Sequence, residues 1–106
     1  MILIKEDKLI TRISIIIPTL NESNNLPLLL SDLSEINDIS EILIIDSTST
    51  DKTKDIALIS GTRFYKINKN NRGLQLNYGA KKAKGEWLFF IHADSRLQFN
   101  LSLIHI

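Results

Sequence analysis

Four short runs of mostly apolar residues, the first three each followed by a segment that reads as helical, set the narrowest limit on what this chain can fold into. Ile13-Ser14-Ile15-Ile16-Ile17, Glu41-Ile42-Leu43-Ile44-Ile45, the weaker Arg63-Phe64-Tyr65-Lys66-Ile67 and Trp87-Leu88-Phe89-Phe90-Ile91 read as strands. Pro18 is expected to end the first by removing a ladder donor. Leu26, Leu29, Leu30, Leu33 and Ile36 then recur at helical spacing, with Asn24 as the expected cap and Pro27 in the first turn, where its missing N–H costs nothing. A second helix carries Ile56, Ala57 and Ile59, with Ser49 or Thr50 as its cap and Gly61 as its stop. A third, from about Leu74 to Lys84, places Leu76, Ala80 and Ala83 on one face and ends at Gly85. Nearly continuous apolar strands alternating with helices predict an α/β fold, a parallel sheet with helices on both faces.

With 106 residues, 43% of them hydrophobic, the chain suits a single domain over 1–106 and has no room for a second substrate-binding domain. It holds no cysteine, which excludes disulfides, thiolate zinc sites and cysteine nucleophiles. No apolar run approaches the roughly 20 residues that span a bilayer. The opening Met1-Ile2-Leu3-Ile4 is broken at once by Lys5, Glu6, Asp7 and Lys8, unlike a signal peptide, so a cytoplasmic location is expected. Net charge is only +1, yet seven basic residues and no acidic one fall between Arg63 and Lys84. That local field suits an anionic partner such as phosphate, although a solvated helix face explains most of these lysines equally well. No nucleic-acid-binding motif accompanies it, and no nucleic-acid partner is expected.

In open parallel sheets ligands bind beyond the carboxyl ends of the strands. The polar residues expected there are Thr19-Leu20-Asn21-Glu22, Asp46 and His92-Ala93-Asp94. The chain has neither G-x-G-x-x-G after the first strand nor a G-x-x-x-x-G-K-[ST] loop, so dinucleotide and P-loop chemistry lose their main support. Carboxylates ending the second and fourth strands can instead accept hydrogen bonds from a base or ribose, or hold a hard divalent cation that neutralises a diphosphate leaving group.

Four blocks sharpen that expectation. They are Ser14–Glu22, Glu41–Asp46 with the D-x-x-S-T-D-x-T turn through Thr53, Asn71-Arg72-Gly73 with Asn77-Tyr78-Gly79-Ala80, and Gly85–Asp94. In this order and spacing, residues from about 13 to 97 resemble the donor-binding half of inverting family 2 glycosyltransferases. The resemblance implies a Rossmann-like nucleotide-diphospho-sugar transferase fold and a nucleotide-diphospho-sugar donor, typically a UDP-sugar. It implies that Asp46 meets the nucleotide base, that Thr19 and Glu22 line the base and ribose pocket, and that Arg72 faces the diphosphate. Asp94 would bind Mg²⁺ or Mn²⁺ with the diphosphate, and His92 resembles a bacterial subgroup with His-Ala-Asp at this place.

Plainer roles compete: Asp46 and Asp51 as turn formers, Glu22 as a first-turn carboxylate, Arg72 as a surface residue, Asp94 as an ordinary loop aspartate and His92 as a packed histidine. Ser47, Thr48 and Lys52 stand where relatives often carry glycine, which implies a stiffer or differently shaped donor loop. Family members also carry an acceptor region and a catalytic base, an aspartate or glutamate, after the Ala-Asp element. Gln98 to Ile106 contains no acid, and His105 is a poor candidate, so no catalytic residue is assigned. The expected protein is therefore an incomplete fold, truncated or split, that needs a partner chain or missing half and acts on an unknown acceptor. The competing reading is a non-catalytic nucleotide-binding or interaction module on the same fold.

Overall fold

The computed structural model describes residues 4–5, 8–9 and 12–97. Met1, Ile2 and Leu3 of the opening apolar run and the acid-free tail 98–106, His105 included, lie outside the described residues. A short antiparallel pair, β1 (Ile4–Lys5) and β2 (Lys8–Leu9), precedes a four-stranded sheet. Its strands are β3 (Ile13–Thr19), β4 (Ile39–Asp46), β5 (Arg63–Lys66) and β6 (Trp87–Phe90), in the order β5-β4-β3-β6 with every neighbour parallel. Helices α1 (Leu26–Leu33), α2 (Thr53–Ile59) and α3 (Arg72–Lys82) make the crossovers. The chain thus moves outward from β3 through β4 to β5, then returns to the far side of β3. Strand order reverses between β3 and β6, the place where such sheets open a crevice at their carboxyl ends.

Both faces of the sheet are covered, as the strand composition predicts. On one face Ile13, Ile15, Ile17 and Ile44 pack with Leu26, Leu29, Leu30 and Leu33 of α1 and Ala57 of α2. On the other, Ile16, Leu43 and Ile45 meet Leu76, Ala80 and Ala83 from α3 and its end. The alternation along β3 is the period-2 rule with both faces buried, and all seven of its residues are inaccessible. Fully buried leucines such as Leu26 and Leu29 each contribute about 2 kcal/mol of apolar transfer.

Several local expectations need correction. Pro18 does not end β3, which continues to Thr19 opposite Asp46. In a parallel ladder each residue directs its N–H and C=O to the same neighbour, alternating along the strand. Ile16 O accepts from Ile91 N on the β6 side and Thr19 O from Ser47 N on the β4 side, so position 18 faces β6. Pairing with β6 has already stopped at Ile16–Phe90, and the missing donor leaves no gap. The α1 cap position is Asn25 rather than Asn24, without a side-chain cap bond. Neither Ser49 nor Thr50 caps α2; Asp51 Oδ1 accepts from Thr53 N at 2.9 Å instead. Ile59 is 86% exposed and outside the core. Gly61, at φ 76°, does terminate α2 as expected.

Helix α3 starts two residues early, at Arg72, because the Asn71 side chain accepts from Leu74 N. It ends at Lys82, so Gly85 is not its stop. A Cβ on Gly85 would lie 2.5 Å from Ser14 Oγ and 2.8 Å from Ser14 N, so glycine is needed there for close approach to the start of β3. The expectation of a covered sheet also stops short at β6: Trp87, Phe89 and Phe90 are 40%, 37% and 49% exposed. No helix among the described residues is long and apolar enough to cross a membrane.

Candidate functional site

Three loops leave the carboxyl edge of the sheet beside the order reversal: 20–25 after β3, 47–52 after β4, and 91–97 after β6. The first two are bound to each other. Thr19 Oγ1 donates to Asp46 Oδ1 at 2.6 Å, and the same carboxylate accepts from Ser49 N at 2.8 Å and from Ser49 Oγ at 2.5 Å. Asn21, at φ 54°, donates its N–H to Ser49 Oγ at 2.7 Å while its Oδ1 accepts from Thr50 N at 2.8 Å. In return, Glu22 N donates to Thr53 Oγ1 at 2.9 Å and Ser23 N to Asp51 Oδ2 at 3.0 Å. Desolvation opposes ionisation of Asp51, but the Thr53 hydroxyl and N–H and the Ser23 N–H outweigh it and hold the pKa at about 2. The two loops therefore form one unit with its polar groups paired internally.

Asp46 is 2% exposed, Thr19 is equally inaccessible, and the hydroxyl of one occupies the carboxylate of the other. Gln75 on the buried side of α3 closes this end from below. Its Nε2 donates to Ile45 O at 2.8 Å and Thr19 O at 3.1 Å, tying the helix to the last residues of both strands. Glu22 is half-buried; its Oε1 accepts from Asn25 Nδ2 at 3.2 Å and its carbonyl from Leu26 N at 2.8 Å. Thr48 sits at φ 55°, a left-handed conformation that costs a β-branched residue energy, and its hydroxyl donates to Ser47 O. Lys52, at φ −88°, has an ordinary backbone, so the glycine substitution there carries no such cost.

The β6 side is built differently. Arg72, first residue of α3, places Nη1 2.6 Å from both ring nitrogens of His92, and both side chains are exposed. Ala93 is buried against the α1 face and fixes the turn, in which Ser95 N donates to His92 O at 3.0 Å. Asp94 follows, exposed to solvent. Among the described residues no three His, Cys, Asp or Glu side chains gather closely enough to hold a metal ion. One accessible carboxylate does suit a Mg²⁺-type site, where one or two protein oxygens are completed by phosphate and water. The fit is therefore to a cation that arrives with a phosphorylated ligand. Beyond the turn, Arg96 pairs with Asp32 of α1 at 2.9 Å and anchors the segment.

Residues 14–103 match the model of the family described as Glycosyl transferase family 2. The chain belongs to that family. Among its relatives, the 4,4'-diaponeurosporenoate glycosyltransferase of Staphylococcus haemolyticus is 33% identical over 100 residues, covering 88% of this chain and 27% of the relative. The PGL/p-HBAD biosynthesis glycosyltransferase of Mycobacterium bovis is 38% identical over 92 residues, covering 79% and 36%. The structure of S. aureus TarS 1-349 in complex with UDP-GlcNAc superposes with a TM-score of 0.72 at 26% identity, over 79% of this chain and 27% of that one. Mycobacterium tuberculosis glucosyl-3-phosphoglycerate synthase in complex with UDP gives a TM-score of 0.72 at 26% identity, over 80% and 34%. The chain thus spans about a quarter to a third of the length of these proteins, and it has the GT-A-type fold of the structural relatives.

For a family 2 chain the five residues singled out from sequence fall on one edge, in two groups. Thr19 and Asp46 end β3 and β4 where the clamped loops leave, with Glu22 on the first of those loops; Arg72 stands beside His92, with Asp94 two residues on. Asn21, Ser49, Thr53 and Gln75, which hold the first group in place, were not singled out as site residues. Asn21 lay in the expected edge segment, Ser49 and Thr53 in the D-x-x-S-T-D-x-T turn, and Gln75 is a polar residue on the buried stripe of a helix.

Proposed function

We propose that this chain is the donor-binding part of a glycosyltransferase that takes a nucleotide-diphospho-sugar, with UDP as the nucleotide, and transfers the sugar to an acceptor hydroxyl with inversion. One observation carries the reading: the two parallel strands that flank β3, β4 and β6, bring Asp46 and Asp94 to the same edge, on either side of the strand-order reversal. The UDP-bound and UDP-GlcNAc-bound states of the structural relatives support a uridine donor. In this reading the base and ribose lie against the loop unit of Thr19, Glu22 and Asp46. Because the Asp46 carboxylate already holds two hydroxyls and an N–H, the base meets it at a remaining lone pair or by displacing the Ser49 hydroxyl.

Arg72 then turns from His92 to the diphosphate, where its planar fork matches phosphate oxygens. Asp94 would hold a Mg²⁺ or Mn²⁺ ion beside the diphosphate; a structure of the M. tuberculosis synthase contains Mn²⁺ with UDP. Such an ion would supply charge to neutralise a diphosphate leaving group. Inversion needs the acceptor oxygen to attack the anomeric carbon opposite the leaving group, with a carboxylate taking its proton. That base and the acceptor pocket belong to parts of the enzyme that this chain does not match.

Thermal unfolding with UDP and Mn²⁺ tests the proposal. At a hundredfold excess over Kd, binding stabilises by about 2.7 kcal/mol, a rise on the order of 10 °C for a chain of this size. Asp94→Asn is expected to remove the part that depends on Mn²⁺. A melting point that ignores UDP with Mn²⁺ defeats the reading. UDP binding without sugar transfer, even when the acceptor-binding part is supplied, would leave a nucleotide-binding module in its place.

A further inference from the structure

The surface farthest from this chemistry in kind is the outer side of α3. Leu74, Asn77, Tyr78 and Lys81 form one stripe of the helix at i, i+3, i+4 and i+7, while the opposite stripe buries Gln75 and Gly79. With Ile67 and Lys69, which follow β5, the stripe lines a cavity of about 300 Å³. Its floor is apolar, and Leu74 is 44% exposed. Lys69 and Lys81 stand at its rim, with Lys66 and Lys82 nearby and no acidic residue anywhere between Arg63 and Lys84. Asp46, the carboxylate opposite Lys66 at this end of the sheet, is buried and engaged by Thr19 and Ser49, and Glu41 at the other end of β4 is engaged by Arg63, Ser14 and Lys84 N.

We propose that this face docks on an anionic phospholipid surface, with the lysines against phosphate headgroups and Leu74 and Ile67 at the level of the glycerol and first methylenes. An apolar patch ringed by lysines with long aliphatic stems is the composition of an interfacial helix face. The aromatic geometry argues against single-stranded nucleic acid. Tyr78 packs edge-on against Tyr65, with centroids 5.6 Å apart, and Lys82 Nζ lies over both rings at 5.5 and 5.8 Å. The two tyrosines of this face are thus half-buried and engaged with each other and with Lys82 instead of standing as a row of open stacking platforms. The inference uses neither Asp94 nor Arg72 and stands independently of the donor reading. Since α3 begins at Arg72, docking would hold the sheet's carboxyl edge beside the membrane.

Co-sedimentation of the full chain with phosphatidylcholine vesicles, with and without phosphatidylglycerol, reads this directly. Binding is expected only to the phosphatidylglycerol vesicles and to fall as salt rises. The Lys69→Gln/Lys81→Gln double variant should lose affinity about 25-fold, from about 1 kcal/mol for each lysine at the surface. Leu74→Ser should lose a few-fold and keep the salt dependence. The control is Lys52→Gln/Lys54→Gln at α2, on the other face of the sheet, which makes the same change in net charge and should bind as the parent does. All of these side chains are exposed, so circular-dichroism melting should show each variant folded. Equal loss in both double variants, equal binding to neutral vesicles, or binding to an RNA oligonucleotide in preference to vesicles would each overturn the proposal.

Discussion

The two flanks of β3 carry the same kind of backbone pairing and opposite kinds of carboxyl end. Toward β4 the ladder runs over seven residues of β3 and finishes in a buried Thr19–Asp46 contact under two mutually bonded loops. Toward β6 it covers four residues and finishes in exposed Arg72, His92 and Asp94. Satisfied, water-excluded polar groups stabilise a fold and fix its geometry, whereas accessible charges are free to exchange water for a ligand. One half of the proposed site is therefore preformed and doubles as structure. The other half is left open to solvent.

If that division is right, Asp46→Ala and Asp94→Ala will do opposite things. The first strands the Thr19 hydroxyl and the Ser49 N–H and should cost about 3 kcal/mol in urea unfolding, whether or not nucleotide is present. Acid should loosen the framework on both flanks. Asp51 on the loop unit and Asp32 beside Arg96 both ionise with pKa about 2. For Asp32 the Arg96 side-chain bond is the leading cause. Glu41 is also lowered, because the Lys84 N–H, the Ser14 hydroxyl and Arg63 together outweigh its desolvation.

All three are depressed, so their stabilisation is whole above the unfolded carboxylate range; that of Asp51 and Asp32 disappears as pH falls toward about 2, and that of Glu41 is lost in the same direction. Melting points followed down this window should drop steadily, and Asp51→Asn should flatten part of the fall; an unchanged slope would mean the loop unit is not held by that carboxylate. Thr48→Gly relieves the left-handed strain and should stabilise by about 1 kcal/mol. Smallest of all, Asp94→Ala should leave unfolding within about 0.5 kcal/mol of the parent while removing the Mn²⁺-dependent response to UDP. Loss of stability there would place Asp94 in the framework instead.

Much of this was readable from local pattern. Apolar runs at strand length, leucines at helical spacing and an acidic residue at the end of two runs are all signals within a few neighbours, and they located the parallel sheet and the edge that carries Asp46 and Asp94. What escaped depends on contacts between distant segments. Pro18 is tolerated only because β6 departs two residues earlier, a fact about a strand some 70 residues away. The reciprocal hold of Asn21 on 50–51 and of Asp51 on Ser23 needs two loops brought together by β3–β4 pairing. Gly85 looks like a helix stop until its closeness to Ser14 is seen. Thr48 is the converse case: its departure from glycine was visible in the sequence, and its left-handed backbone is the physical cost of that departure.

The pairing of Ile13 with Trp87 joins residues 74 positions apart, across the whole β3–α3 span. Closing so long a loop is entropically slow, and non-local parallel pairing is a late event in folding. As the polypeptide emerges from the ribosome, β3, β4 and their clamped loops can assemble while β6 is still unsynthesised. Arg72 gains its histidine neighbour, and Asp94 its position, only when β6 docks. The maturing protein should therefore pass through a stage in which the loop unit around Thr19 and Asp46 is formed and the cluster of Arg72, His92 and Asp94 is not yet assembled.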